Sequence, residues 1–162
     1  MTHLDFSKHE DERGFFMETY RASWFPGSDF LQGNVSRSSR GVLRGLHYHL
    51  RQEDLWTIPL GRAFVALVDL RAEGDSYLAV ETFELGEAQA VHIPVGVAHG
   101  FYAQTELVMS YLVTNYYDGS DELGVSWDDV EIAVPWPTEA PILSDRDRRN
   151  SRWADVPAEL RP

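Results

Sequence analysis

The chain has 162 residues, of which 43% are hydrophobic and 12% aromatic, so it is long and apolar enough for one globular domain with a substantial core. The sequence contains no cysteine, which excludes disulfides and thiolate metal sites and makes the cytoplasm the expected compartment. A formal net charge of −12 and the lack of any apolar run of about 18 residues argue against nucleic acid and membranes as partners.

Short strands separated by turns are predicted in the N-terminal third of the chain. Residues 1–12 are predicted to contain a first strand. After a turn at Gly14, residues 15–20 are predicted to form a second strand, with an aromatic and a carboxylate side chain on one face. From Gln32 to Ser38, polar side chains recur at every second position. Such a row shares one face of a strand and would suit either solvent or a bound sugar or nucleotide.

The rest of the chain also favours strands. Residues 63–71 form a strongly apolar, β-branched run that predicts a buried strand, residues 77–85 alternate, and residues 101–113 predict a hairpin. A helix is predicted only near the C-terminus, where Ser144 would be its N-cap. Many short strands at regular spacing predict an all-β sandwich or barrel.

Three histidines in two separate stretches predict a polar site. His47 and His49 are one residue apart, beside Asp54, and on a strand their side chains would project to the same side. His99 follows a Pro-x-Gly turn in a second stretch. Any one of these histidines alone would more often be an ordinary strand residue. Three with this spacing beside a carboxylate favour a site in the mouth of a small β-barrel.

The spacing of these residues resembles the two-part pattern of the cupin barrel, G-x5-H-x-H with a following acid and glycine, and then P-x-G-x2-H. The matching residues are Gly41, His47, His49, Asp54, Gly61, Pro94, Gly96 and His99. The resemblance implies a cupin (jelly-roll) β-barrel, as a single domain over residues 1–162 with a short C-terminal helical segment. It also offers an alternative in which a divalent transition metal is bound by His47, His49, Asp54 and His99.

Longer matches in one register, from about residue 11 to 150, resemble the dTDP-4-dehydrorhamnose 3,5-epimerase family. They cover residues 11–18, 32–36, 41–48, 68–71, 94–101 and 143–147. The most specific of them are Arg44-Gly-Leu-His-Tyr48 and Ala98-His-Gly-Phe101. The resemblance implies a homodimeric enzyme of the isomerase class that uses neither metal nor organic cofactor. It would epimerise a dTDP-4-keto-6-deoxyhexose in the biosynthesis of deoxysugars such as rhamnose.

The resemblance also assigns roles to individual residues. It places the catalytic base on His47, its aspartate partner on Asp147 and the tyrosine acid on Tyr111. Nucleotide and sugar contacts are implied for Arg13, Phe16, Glu18, Gln32, Asn34, Arg44 and His99, the first three reaching into the neighbouring subunit. These types suit the chemistry, because a hydrogen next to a ketone is removed by a base of near-neutral pKa and returned by an acid on the opposite face.

The sequence departs from the family at two positions. Asp54 stands where the family has a lysine that stabilises the enolate, and Lys8 is the only lysine of the chain. His49 stands where the family usually has glutamine. A carboxylate would repel a developing enolate. A bound metal could replace the lost positive charge, but a metal held by His47 would remove the base.

Three hypotheses follow. The first is an epimerase that acts at C3, C5 or both, with Arg44 and His99 stabilising the enolate. The second is a metal-dependent cupin isomerase or oxygenase that has kept the sugar-binding frame. The third is a non-catalytic nucleotide-sugar binding homologue.

Overall fold

The computed structural model describes residues 1–162 and contains twelve strands and four 3₁₀ helices of three residues each. The strands in chain order are β1 (Thr2–Asp5), β2 (His9–Asp11), β3 (Gly14–Phe16), β4 (Gln32–Ser38), β5 (Leu43–Tyr48), β6 (Asp54–Leu60), β7 (Arg62–Asp69), β8 (Val80–Gly86), β9 (Gln89–Ile93), β10 (Val97–Ala103), β11 (Leu107–Val113) and β12 (Leu123–Gly124). The 3₁₀ helices are Ala22–Trp24, Asp147–Arg149, Trp153–Asp155 and Ala158–Leu160. No helix has the length and apolar character needed to cross a membrane.

Ten of the strands form two five-stranded antiparallel sheets. The first sheet has the order β1-β9-β6-β11-β4 and the second has the order β12-β5-β10-β7-β8, while β2 and β3 form a separate hairpin. Most neighbouring strands are distant in sequence, as in a jelly roll. The predicted all-β cupin (jelly-roll) fold is therefore confirmed.

The main apolar core lies between the two sheets and is built by buried side chains from β6 to β11. Strand β7 is buried on both faces. Val65 and Leu67 belong to this core, whereas Ala66 and Val68 belong to a second core on the other side of the strand. Burial on both faces explains why this segment is almost continuously apolar, and it confirms the buried strand predicted over residues 63–71.

The second core is closed by the C-terminal segment. Trp153 is fully buried there, its ring centroid lying 6.1 Å from that of Tyr48 on β5 in an edge-to-face arrangement. The indole Nε1 of Trp153 donates a hydrogen bond to the hydroxyl of Tyr77 at 3.0 Å. These contacts bring the segment around Asp147 back over β5.

Two local predictions differ from the structure. The strand predicted over residues 15–20 ends at Phe16, because its only partner, β2, begins at His9, the residue that pairs with Phe16. The C-terminal segment contains three 3₁₀ helices instead of one regular helix, since extended residues such as Arg152 interrupt it. The Oγ of Ser144 does accept a hydrogen bond from the backbone N–H of Asp147 at 3.0 Å, as a capping residue would.

Candidate active site

A cavity of about 200 Å³ lies between the two sheets. Strands β5 and β10 of one sheet and β4, β6 and β11 of the other contribute its walls. The lining residues are Ser36, Arg44, His47, His49, Gln52, Asp54, Trp56, His99, Phe101, Met109, Tyr111, Glu122 and Arg146. The cavity thus collects all three histidines that the sequence singled out, beside carboxylates and two arginines.

Two glycines allow β5 and β10 to approach each other closely. A Cβ atom on Gly45, whose φ is +128°, would lie 2.6 Å from the Cα of Gly100 and 2.9 Å from the carbonyl oxygen of His99. No side chain fits there without moving one of the strands. His47 and His99 are register partners on these two strands. The glycine of the Arg-Gly-Leu-His run therefore lets β5 and β10 pair closely, which places His47 opposite His99.

His47 is held by an aspartate from the C-terminal segment. Its Nε2 lies 2.6 Å from Oδ1 of Asp147, whose Oδ2 accepts a hydrogen bond from the Ser144 hydroxyl at 2.9 Å. Burial alone would raise the pKa of Asp147, but the hydrogen bonds from His47 and Ser144 outweigh burial and hold this pKa below its ordinary value. An ionised Asp147 accepts the Nε2 hydrogen of His47, which leaves Nδ1 free to accept a proton.

Tyr111 lies on β11, in the sheet opposite His47, and lines the same cavity. Burial raises the pKa of Tyr111, and the charges of Asp54 and Glu122 raise it further, whereas Arg44 lowers it. The phenol is therefore protonated near neutral pH and can donate a proton. A proton acceptor and a proton donor thus come from opposite walls of one cavity.

Two further imidazoles lie beside a carboxylate in this cavity. His49, His99 and Asp54 are all buried, and the atoms with which they could bind a metal lie within 4.8 Å of one another. Nδ1 of His49 lies 2.7 Å from the carbonyl oxygen of Asp121, and Nδ1 of His99 lies 3.0 Å from that of Val97. Because a carbonyl oxygen only accepts, Nδ1 carries the hydrogen in both rings and Nε2 keeps a lone pair.

The tautomer of His99 limits what this ring can do at an enolate. Burial lowers the pKa of His99 to about 4, against the raising effect of Asp54, so the ring is neutral near pH 7. With its hydrogen on Nδ1, it has none on Nε2 to donate to an enolate oxygen. The enolate contact predicted for His99 would need a different tautomer or a cation at Nε2.

Of the residues predicted to bind substrate, Arg44 and His99 line the cavity. Nε of Arg44 donates to the hydroxyl of Ser38 at 3.0 Å, which fixes the guanidinium near the β4 wall. Gln32 and Asn34 lie outside the cavity on the edge strand β4, where the Gln32 amide donates to Asn34 at 2.9 Å. Their side chains are partly buried on the same face as Ser36, which is the polar face that the alternation predicted.

The other three predicted substrate residues lie away from the cavity of their own chain. Arg13 pairs with Asp11 at 2.6 Å, Glu18 pairs with Arg21 at 2.8 Å, and Phe16 is 70% exposed. Their contact with substrate in a neighbouring subunit stays a prediction.

Several lining residues were not selected from the sequence, among them Gln52, Trp56, Glu122 and Arg146. Trp56 is two residues after Asp54 on β6, so strand alternation already placed both side chains on one face. Arg146 lies inside the matched run 143–147 and donates to the Glu122 carboxylate at 2.9 Å. The position of Gln52, in the turn between β5 and β6, had no comparable signal in the sequence.

Comparison with known proteins finds relatives that are described as epimerases of dTDP-linked sugars. A family model described as dTDP-4-dehydrorhamnose 3,5-epimerase matches residues 1–155. The dTDP-4-dehydrorhamnose 3,5-epimerase of Pseudomonas aeruginosa is 37% identical over 157 residues, covering 90% of this chain and 87% of the relative. The dTDP-4-dehydrorhamnose 3-epimerase of Streptomyces niveus is 36% identical over 149 residues, covering 85% of this chain and 72% of the relative.

A solved structure gives the same result. The dTDP-6-deoxy-D-glucose-3,5-epimerase of Legionella pneumophila, in complex with dTDP-4-keto-L-rhamnose, superposes with a TM-score of 0.92 at 32% identity, covering 99% of this chain and 91% of the other. Fold, cavity and relatives together define a jelly-roll enzyme of the isomerase class. The chain belongs to the dTDP-4-dehydrorhamnose 3,5-epimerase family. The predicted family and enzyme class are confirmed, and the roles of the individual site residues stay predictions.

Proposed function

We propose that this chain epimerises a dTDP-4-keto-6-deoxyhexose at C3, C5 or both, in deoxysugar biosynthesis. The main support is the placement of the His47–Asp147 pair and Tyr111 on opposite walls of one cavity. Inversion at carbon needs a base on one face and an acid on the other, and C3 and C5 both adjoin the C4 ketone. The relatives include a 3,5-epimerase and a 3-epimerase at nearly equal identity, so identity does not decide how many carbons react.

The proposed reaction has two proton transfers. His47 removes the proton at C3 or C5 through the ring nitrogen that Asp147 does not hold. The electron pair of the broken C–H bond forms the C=C bond of an enolate, while the ketone π pair moves to oxygen. Tyr111 then gives its hydroxyl proton to the same carbon from the opposite face, and the ketone re-forms. Asp147 stabilises the imidazolium in between, and proton exchange with water resets both groups.

The size of the cavity suits the hexose rather than the whole nucleotide. It measures about 200 Å³, below the about 300–1,000 Å³ that is usual for small-ligand pockets. We place the diphosphate beside Arg44 and Arg146, the two guanidinium groups of the lining, because guanidinium pairs well with phosphate oxygens. The nucleoside would extend toward Gln32 and Asn34 on β4.

Two copies of the chain would complete this site. Strand β4 is an edge of its sheet and carries Val35, which is 71% exposed, while the nearby Leu31 is 51% exposed. An exposed apolar edge is a natural surface for pairing with a second chain. We expect a homodimer that pairs through this edge, with Phe16 reaching into the partner subunit. Val35→Asp should then shift the sedimentation coefficient, measured by sedimentation velocity, from that of a dimer to that of a monomer. Val130→Asp, at a position that is 82% exposed elsewhere, is the control.

The test of the reaction is deuterium wash-in. The protein is incubated with dTDP-4-keto-6-deoxyglucose in heavy water, and exchange at C3 and C5 is followed by NMR against a sample without protein. Wild type is expected to exchange one or both positions. His47→Asn should slow exchange by about 10²–10⁴-fold, the usual contribution of a general base. His3→Asn, which changes an exposed histidine on β1, should exchange like wild type.

Two outcomes would overturn the proposal. Wild-type protein that binds the nucleotide sugar but exchanges neither carbon would be a non-catalytic binding homologue. A His47→Asn variant that kept the full exchange rate would show that His47 is not the base.

A further inference from the structure

We infer that His49, Asp54 and His99 form a binding site for one divalent transition-metal ion, next to the His47–Asp147 pair but separate from it. All three residues are buried, and their possible ligand atoms lie within 4.8 Å of one another. Ligands of one ion, each bonded at about 2.0–2.2 Å, lie within about 4 Å of each other, so small side-chain shifts would complete the site. Two imidazoles and one carboxylate form the set that Fe(II) commonly takes in proteins, and Co(II) and Zn(II) accept the same atom types.

The orientation of the two rings supports a metal site. Each Nδ1–H donates to a backbone carbonyl, from His49 to Asp121 at 2.7 Å and from His99 to Val97 at 3.0 Å. Metal-binding histidines are usually held in this way, because the hydrogen bond fixes the tautomer and turns the other nitrogen toward the ion. Nε2 of each ring therefore carries a lone pair. That of His99 accepts no hydrogen bond although this residue is only 4% exposed, and that of His49 faces the amide nitrogen of Gln52 at 3.2 Å.

The surroundings of Asp54 are also those of a ligand. Trp56 Nε1 donates to Oδ2 at 3.1 Å, which orients the carboxylate from outside the cluster. The amide nitrogen of Gln52 lies 2.8 Å from Oδ1 of Asp54 and 3.2 Å from Nε2 of His49. The two amide hydrogens of Gln52 thus bond to the Asp54 carboxylate and to the His49 lone pair. A cation would occupy the position of this amide nitrogen, and the Gln52 side chain would turn aside.

His47 does not belong to this set. Its Nε2 is hydrogen-bonded to Asp147 at 2.6 Å, and the possible ligand atoms that lie within 4.8 Å of one another belong to His49, Asp54 and His99. The four-ligand set considered from the sequence would have removed the base. With three ligands, His47 can stay a base while an ion is bound beside it.

The consequence for catalysis rests on the proposed function. Asp54 lines the cavity, and its negative charge would repel an enolate. No lysine lies in the cavity to offset that charge, because Lys8 is the only lysine of the chain. An ion bound there would reverse the sign of the local charge and act as a Lewis acid toward the ketone oxygen. The metal site itself does not depend on this role.

The site is tested by binding of Co(II) alone. Protein stripped with a chelator is titrated with Co(II) and followed by calorimetry and by visible absorption, which reports coordination by nitrogen and oxygen. One ion per chain is expected. Asp54→Asn and His49→Gln should each weaken binding by about 10–100-fold or more, since even loss of an outer partner of a ligand has an effect of that size. His47→Asn should bind Co(II) like wild type.

Three results would overturn the inference. The first is that the wild-type protein does not bind Co(II). The second is that both ligand variants bind Co(II) as tightly as wild type. The third is that His47→Asn loses as much Co(II) affinity as the ligand variants do. Each variant is first checked for a native circular dichroism spectrum, and two ligand positions are used so that one unfolded variant does not decide the question. The deuterium assay is read separately. Co(II) binding without exchange would contradict the epimerase alone, whereas exchange with no Co(II) binding would contradict the metal site alone.

Discussion

The carboxylate of Asp147 lies 2.6 Å from Nε2 of His47, although 100 residues separate the two in the chain. We therefore expect Asp147→Asn to lower kcat by about 10²–10⁴-fold, because an amide neither fixes the useful tautomer nor stabilises an imidazolium. KM should change little, since Asp147 does not line the cavity. Steady-state kinetics on the nucleotide sugar would measure both constants.

The control for this variant is Asp145→Asn, which changes an exposed aspartate two residues earlier in the chain. It should keep the wild-type kcat. Equal losses in the two variants would mean that the segment, and not the His47 contact, is what matters.

Tyr111→Phe should separate the two proton transfers. His47 could still remove the proton and return a deuteron to the same face, so wash-in into the starting sugar should continue. Formation of the inverted sugar should fall by about 10²-fold, because the donor on the opposite wall is gone. NMR of the product mixture distinguishes the two events. Tyr116→Phe, at a position that is 69% exposed, is the control, and undiminished inversion in Tyr111→Phe would contradict the assignment.

Gly45→Ala should damage both stability and the site. The added Cβ would lie 2.6 Å from the Cα of Gly100, so β5 and β10 must separate. Overpacking of this kind costs about 1–3 kcal/mol in the free energy of unfolding. Urea denaturation would measure the loss. Gly74→Ala, whose Cβ would meet nothing closer than 3.6 Å, should stay within about 0.5 kcal/mol of wild type.

Asp69 should make the stability depend on pH in the acid range. The hydrogen bond from Arg71 lowers the pKa of Asp69 to about 2, from an ordinary value of 3.8. A pKa lowered in the folded state stabilises the protein above the unfolded-state value, and this contribution is lost as the pH falls from about 4 to about 2.

Asp69→Asn should therefore cost about 1–2 kcal/mol at pH 7, a figure reduced for the partial exposure of Arg71. The difference from wild type should shrink as the pH approaches 2. Urea denaturation at a series of pH values would show this, and a difference that did not change with pH would contradict the role of the ion pair.

Much of the fold could be predicted because its signals are local. The alternation from Gln32 to Ser38 predicted one polar face of β4, suited to solvent or to a sugar or nucleotide, and Ser36 on that face lines the cavity. The histidine spacing predicted one polar site built from two stretches, and the structure places His47, His49 and His99 in the lining of one cavity. His47 and His99 are register partners, because two short motifs on adjacent strands leave little freedom for their relative position.

Other features depend on contacts that no local pattern contains. The helix predicted after Ser144 is replaced by 3₁₀ helices, since burial of Trp153 against Tyr48 holds the segment in a more extended path. The bridge that Gln52 makes between His49 and Asp54 likewise arises from side-chain placement in a turn, which no periodic pattern of the sequence predicts.

The way the C-terminal segment is attached has a consequence for the integrity of the site. Strands of the two sheets supply most of the cavity wall and Tyr111, whereas Arg146 and Asp147 are carried by a C-terminal segment anchored by Trp153. Displacement of that segment would remove the carboxylate that holds His47 and one of the two arginines of the lining together. The packing of Trp153 against Tyr48, outside the cavity, therefore supports the position of two residues inside or beside it.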